Sequence, residues 1–470
     1  MKKYLTLLIM SVLILLPIAS DLAAGNRVSF KIAPYFSSHM VLQRGIGVPV
    51  WGTSTAGTAI TVTFQNLSVN QSVSTVTGAN GQWQVQLDSM LASDKPGNLV
   101  VQGGTSSITL TDVLVGDVWV LSGQSNMDFR LKDSDGGMIA ASESASYQNI
   151  RLYFVPGPDP PRWELSNSTN TPDWSAVGFF FARALHNLIV DHQTDPVPIG
   201  LLQVTKGGTP IADWTTSGGQ NNGKLYKGRI KPLQPFAIRG VLWYQGEEDG
   251  RREISALNYY EMLPALIQNW RDDWGQGEFP FNYVQLPPIA DRPAWPIIRD
   301  AQVSTLDVTA NTAMACIIDL PTVPATEIHP TNKQPVGERL ALASFAQTFP
   351  ELNVVHSGPI RNPGESAISG SAIVVKFDSI DGGLVTSDGL APGPFMIAGS
   401  DGVYYPATAT ISSSKDSVSV VASNSSSVPH PTSVRYCWGP YPICNLFNDN
   451  DNNVSNGYGL PASPFQLTLN

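Results

Sequence analysis

Metal-ligand spacings, basic runs and long apolar segments are what this chain has least of. Its 470 residues hold three cysteines and six histidines, in no spacing that suits a metal site. No metal and no organic cofactor is expected. Only 14% of residues are charged, the formal net charge is −10, and no Lys/Arg cluster follows Lys2 and Lys3. The basic footprint of a nucleic-acid partner is therefore missing. Beyond the N-terminus no segment is apolar enough to span a bilayer, so no membrane partner is expected once the leader is gone. The acidic, Asn-rich run Asn448 to Asn453 lacks the EF-hand spacing and reads as a solvated loop. No repeat of fixed period occurs.

Processing and turn signals are plentiful instead. Lys2 and Lys3 precede an apolar run from Tyr4 to Ile18, with small residues at Ala19, Ser20, Ala23, Ala24 and Gly25. This predicts a secretory signal peptide over residues 1–25 and a secreted or periplasmic protein. Export permits a disulfide. Cys437 and Cys444 flank a Trp-Gly-Pro-Tyr-Pro turn and could pair, whereas Cys316 lies in the apolar run Thr312 to Leu320 and reads as a buried thiol. With 41 Gly and 36 Pro, the low-charge composition suits a β-rich exported protein.

The length predicts several domains. Residues 27–112 read as an N-terminal β-sandwich, because Val48 to Gly52, Ala59 to Phe64 and Gln82 to Leu87 alternate in period two between turn signals. Residues 113–348 alternate strand-like runs (Val113 to Leu121, Val197 to Val204, Ile238 to Tyr244, Phe281 to Leu286, Ala313 to Leu320) with helical stretches. The helical stretches are Phe179 to Val190, Tyr259 to Trp270 and Val336 to Phe349. This predicts an α/β domain with a parallel sheet under helices. Residues 350–470 return to short strands, among them Ala372 to Phe377 and Ser417 to Val421, and predict a C-terminal β-rich domain.

One stretch carries chemistry. Gly116 to Met127 is an apolar strand that ends in Gly123, Gln124 and Ser125. A serine there stands at the carboxyl end of a sheet, where α/β folds place ligands, though the Gly-x-Ser-x-Gly elbow is absent. A serine nucleophile needs a base, a group to orient it and oxyanion donors. His39 and His430 fall in the β regions, His186 and His192 on or just after a helix, and His356 after the catalytic region. His329 stands in a loop between an apolar strand and a helix, where a base for Ser125 belongs. Its orienting acid is Glu327, two residues earlier, or Asp319 at the strand end, or a backbone carbonyl in a Ser-His dyad. Gly207 and Gly208 follow one strand and can expose N–H donors, and Gln245 follows another and can offer a side-chain N–H.

The blocks Gly123 to Met127, Gly207 to Pro210, Trp243 to Glu247 and Ile328 to Gln334 resemble those of the sialate O-acetylesterase-like carbohydrate esterases, which are SGNH-type hydrolases. Further likenesses run from Met40 to Arg44 through Pro232 to Gly240 to Gly459 to Phe465. The resemblance implies a flavodoxin-like catalytic domain, Ser125 as nucleophile and His329 as base. It implies oxyanion donors from Ser125, the Gly207/Gly208 turn and Gln245, and an acetylated carbohydrate substrate. The family more often has Asp where Glu327 stands and often an aromatic where Lys206 stands, so the orienting acid and the specificity both depart from its pattern. Lys206, Trp214 and Glu247 are the expected substrate contacts, with Trp295 a further candidate for stacking on sugar rings. The implied reaction is hydrolysis of acetyl esters on sugars, from O-acetyl sialic acid to acetylated xylan or xyloglucan. The rival from another class is a noncatalytic carbohydrate-binding protein, which has no need of Ser, His and Gln together at strand ends.

Overall fold

The strand that leads to Ser125 also joins two parts of the molecule. The computed structural model describes residues 28–156, 160–192, 195–216, 223–449 and 459–469. The expected signal peptide and all but the start of the Asn448 to Asn453 run lie outside them. Strand β1 (Ser106–Gly123) is mostly exposed over its first seven residues and wholly buried over its last eleven. The change follows its neighbours. Its first half pairs antiparallel with Ser93–Gly103, and its second half lies between two parallel strands. A strand covered on both faces reads as a continuous apolar run, and Val118, Trp119, Val120 and Leu121 are that run.

The expected division at 112/113 thus falls inside one strand. Asp112 marks the change of partner. Its φ is +54°, and its carboxylate accepts from Arg151 at 2.9 Å and contacts the His39 ring at 2.6 Å.

The remaining strands of the α/β part are β2 (Ile150–Phe154), β3 (Trp163–Leu165), β4 (Ile199–Thr205), β5 (Gly240–Tyr244), β6 (Phe281–Val284) and β7 (Thr312–Ala315). They lie in the order β3-β2-β4-β1-β5-β6-β7, within a mixed sheet of 11 strands that includes part of the N-terminal region. All run parallel except edge strand β3. The winding reverses beside β1, which has β4 on one side and β5 on the other. In a doubly wound sheet the carboxyl end of such a strand is the switch point that leaves a ligand crevice.

Five helices matter for the site: α1 (Ser125–Asp128), α2 (Ala176–His192), α3 (Glu253–Trp274), α4 (Trp295–Val308) and α5 (Gln334–Thr348). Helix α2 packs on α5, and α3 on α4. Helices α2 and α3 enclose the stretches Phe179 to Val190 and Tyr259 to Trp270, and α5 covers Val336 to Phe349 except for its last residue. Helix α4 was not among the expectations, and neither was β2. Strand β7 stops at Ala315 rather than reaching Leu320, because the chain turns away and Asp319 is drawn to Arg339 on α5.

On the N-terminal side, Val48, Val50, Trp83, Val85 and Leu87 of one small sheet and Ile60, Val62, Phe64, Leu99 and Val101 of the large sheet share one core. C-terminally, seven antiparallel strands form a separate sheet. It is tied to the α/β part by Gln285 donating to Ser463 (2.7 Å) and by Arg361 donating to Asp307 (2.9 Å). Cys437 and Cys444 are disulfide-bonded, and Cys316 is a buried free thiol. Among the described residues no helix is long and apolar enough to cross a membrane.

Candidate active site

Gly123 shapes the turn that presents Ser125. Its φ is +127°, and a Cβ there would lie 2.1 Å from the Tyr244 carbonyl oxygen. Only glycine lets the ends of β1 and β5 run this close. Gln124 N–H then donates to that same oxygen at 3.0 Å, and the chain enters α1 with Ser125 as its first residue. Asn126 and Met127 are buried and anchor the turn, while Ser125 stays half-buried. Its N–H, at a helix start, has no intrahelical acceptor.

His329 comes to Ser125 from 204 residues away. Its Nε2 lies 2.8 Å from Ser125 Oγ. Partial burial is the main force that lowers its pKa below the ordinary 6.5; the nearby Lys333 cation adds to this and Glu327 opposes it. The imidazole is therefore biased towards the neutral form that can accept a proton.

The two candidate acids are differently employed. Glu327 Oε1 accepts the backbone N–H of His329 at 2.7 Å and lies 3.9 Å from the ring Nδ1, beyond hydrogen-bond range. It acts on the ring as a charge and on the loop as a cap. Asp319 is gripped by Arg339 in a fork of 2.6 and 2.7 Å. That places Asp319 as an anchor between the strand end and α5, in place of the orienting role open to it in the sequence.

The glycine loop lies beside Ser125. A Cβ built on Gly207 would be 3.4 Å from the Ser125 Cβ. Gly208 next to it has φ +66° and open space around it. Gln245 does not offer its amide to this space. It is fully buried, and its Nε2 donates to Thr209 O at 3.0 Å and Asp249 Oδ2 at 2.6 Å. An amide nitrogen has two N–H groups, so both are spent. Gln245 holds the glycine loop in place instead. Asp249 completes this support by accepting from Ile211 N–H at 2.9 Å; burial pushes its carboxyl up to about 6.

Glu247 also leaves the role expected of it. It is buried beneath the serine turn, where its Oε1 accepts from Asn126 Nδ2 at 2.6 Å. Asn126 and Lys333, neither of them foreseen as a functional residue, complete this buried cluster. Lys333 donates to Asn126 Oδ1, and its ammonium lies over the rings of Phe129 and Tyr244 at 5.0 and 5.4 Å. Burial pushes Glu247 up to about 7 and Lys333 down to about 7. The signal was present in the sequence as polar residues inside the Ser125 and His329 blocks, but nothing there shows which are buried.

A cleft of about 550 Å³ lies beyond the serine turn, with Asp128, Phe129, Arg130, Asp133, Lys206 and Arg229 in its wall. The Phe129 and His329 ring centroids are 6.5 Å apart. Lys206 is exposed at this cleft. Arg130 is paired with Asp133 at 2.8 Å, and Arg229 donates to the Thr205 carbonyl and feels the Asp128 charge. The two tryptophans considered for sugar stacking are not available. Trp214 and Trp295 are both fully buried, with indole N–H groups donating to Thr209 Oγ1 at 3.0 Å and Pro287 O at 2.8 Å.

Comparisons with known proteins find carbohydrate acetylesterases. Residues 115–346 match the family described as carbohydrate esterase, sialic acid-specific acetylesterase. The sialate O-acetylesterase of Homo sapiens is 30% identical over 412 residues, covering 75% of this chain and 77% of its own length. That of Rattus norvegicus is 30% identical over 442 residues, covering 74% of this chain and 79% of the relative. Among solved structures, a carbohydrate acetylesterase from Xanthomonas citri superposes with a TM-score of 0.80 at 34% identity. That match covers 93% of this chain and 99% of the other.

Proposed function

The chain belongs to the sialic acid-specific acetylesterase family of carbohydrate esterases and is a carboxylic ester hydrolase; from that premise we propose that it removes acetyl groups from sugars through a Ser125 acyl-enzyme. The observation that carries this is the 2.8 Å contact between Ser125 Oγ and His329 Nε2 at the switch point of the sheet. The α/β part is then an SGNH-type, flavodoxin-like domain. The apolar N-terminal run and the Cys437–Cys444 bond support export of the protein.

His329 Nε2 takes the proton of Ser125 Oγ as that oxygen bonds to the acetyl carbonyl carbon. The carbonyl oxygen becomes an oxyanion, met by the N–H groups of Ser125 and the Gly207/Gly208 turn. The C–O bond to the sugar breaks, and His329 returns its proton to the departing sugar oxygen. Water, deprotonated by His329, then attacks acetyl-Ser125; the bond from the acetyl carbon to Oγ breaks, His329 returns the proton to Oγ, and acetate leaves. The cleft wall sets Arg130, Lys206 and Arg229 against Asp128, Asp133 and Asp173, so its charge selects no substrate; the sialate O-acetylesterases among the relatives make an O-acetylated sialic acid the first candidate.

Acetate release from O-acetyl sialic acid, acetylated xylan and acetylated xyloglucan tests the proposal. We expect release that is fastest from the sialic acid. Preference for xylan or xyloglucan would reassign the substrate, and no release from any of them would overturn the proposal.

Glu327 has its own signature. Its charge raises the His329 pKa against the effects of burial and Lys333. Glu327→Gln removes that support, so the base stays neutral to lower pH. The acid limb of the kcat/KM profile with p-nitrophenyl acetate is expected to move to lower pH. A limb that stays in place would deny Glu327 any electrostatic role.

A further inference from the structure

The base has a neighbour that binds it through the main chain rather than through the imidazole. Asn126 follows the nucleophile directly and is fully buried. Its Nδ2 donates to the Ile328 carbonyl at 2.9 Å and to Glu247 Oε1 at 2.6 Å, and its Oδ1 accepts from Lys333. One carboxamide therefore joins the serine turn, the loop after β5 and the histidine loop.

The Ile328 carbonyl and the His329 N–H belong to a single peptide unit. Asn126 holds the first, and Glu327 holds the second at 2.7 Å. A planar peptide caught at both ends cannot rotate about its axis, and the Cα of His329 is attached to it. Among the described residues no carboxylate within hydrogen-bond range steadies the ring itself. Glu327 stands 3.9 Å from Nδ1, and Asp319 is occupied by Arg339. The clamp supplies what a third triad member supplies elsewhere.

We propose that Asn126 is the positioning residue that sets His329 against Ser125, and that Lys333 and Glu247 fix the orientation of its amide. This rests on the assignment of Ser125 and His329 as nucleophile and base. The charges give the amide one favoured orientation. The ammonium faces its oxygen and the carboxylate faces its nitrogen, so a flipped amide would oppose N–H to N–H and oxygen to oxygen. The charged groups near His329 are Lys333 and Glu327 on its own loop, with Glu247 of the loop after β5 coupled to Lys333.

The test uses the full-length enzyme with p-nitrophenyl acetate, and thermal unfolding as a check that each variant folds. Asn126→Leu keeps the branched outline of the side chain and removes its hydrogen bonds. A displacement of the base by about 1 Å can cost on the order of a hundredfold, so kcat is expected to fall about 10- to 100-fold while KM stays within about twofold. Glu247→Gln keeps an acceptor for Asn126, and its kcat is expected to exceed that of Glu247→Leu by about tenfold. Lys333→Met removes a charge that lowers the His329 pKa, so the acid limb of kcat/KM is expected to move to higher pH; a purely structural lysine would leave it in place. The proposal is overturned if Asn126→Leu keeps wild-type kcat, if it changes KM alone, or if the Lys333→Met limb does not move. Should Asn126→Leu fail to fold, the Glu247 pair and the Lys333 limb decide. If Ser125 and His329 variants lose activity while these do not, the clamp alone is wrong. If the Ser125 variant stays active, the assignment beneath it is wrong.

Discussion

Ser125→Ala is expected to lower p-nitrophenyl acetate turnover by at least about four orders of magnitude, in line with loss of the nucleophile in other serine hydrolases. Its Oγ is the atom that forms the acyl bond, and the described site holds no substitute. Cys316 is buried and burial pushes its thiol up to about 12, so it supplies no thiolate at neutral pH. What remains is an oxyanion pocket around a water, which still gives some rate over solution. Mass spectrometry during rapid turnover offers a second view. The wild-type enzyme is expected to carry one acetyl group on Ser125, and the variant none. Activity within about tenfold of wild type would remove Ser125 from the mechanism.

His329→Ala is expected to cost at least about a hundredfold, the lower range for loss of a general base. Nucleophile and base act as one unit, so adding His329→Ala to Ser125→Ala should cost almost nothing further. Additive losses would place the two residues in separate roles. The wild-type pH profile carries a related sign. The base must be neutral to accept the Ser125 proton, and burial lowers its pKa below 6.5. Activity should therefore persist to a lower pH than a free imidazole allows, and the acid limb should be absent from whatever rate His329→Ala retains. An acid limb above 6.5 in the wild type would contradict the surroundings of His329.

Much of the architecture is written in short-range patterns. Gln82 to Leu87 alternates in sequence and in burial alike, because one face of that strand meets the core. Val118 to Leu121 is apolar throughout, because both faces of β1 are covered. Helix α4 was less legible. It begins at Trp295-Pro296 and buries Arg299, Asp300 and Gln302, polar residues that periodicity assigns to an outer face. Gln302 is tolerated inside because it donates to Gln245 O and Val284 O. Trp214 and Trp295 show the opposite error. A tryptophan carries about 150–250 Å² to bury, and tertiary packing covers both, which leaves neither for ligand stacking.

By itself the sequence determined the strand that ends in Gly123 and Ser125, and it singled out His329 among six histidines. Apolar periodicity and the scarcity of imidazoles are local or countable properties, so they survive without a fold. The employment of each polar side chain was decided only by tertiary structure. Glu327 and Asp319 were equal candidates until Arg339 took one and the His329 backbone took the other. Gln245 was a possible donor until Thr209 and Asp249 used both of its N–H groups. Asn126, Glu247 and Lys333 meet across 207 residues of chain. A hydrogen-bond donor can be spent only once, and its partner is chosen by packing between segments that local pattern does not relate.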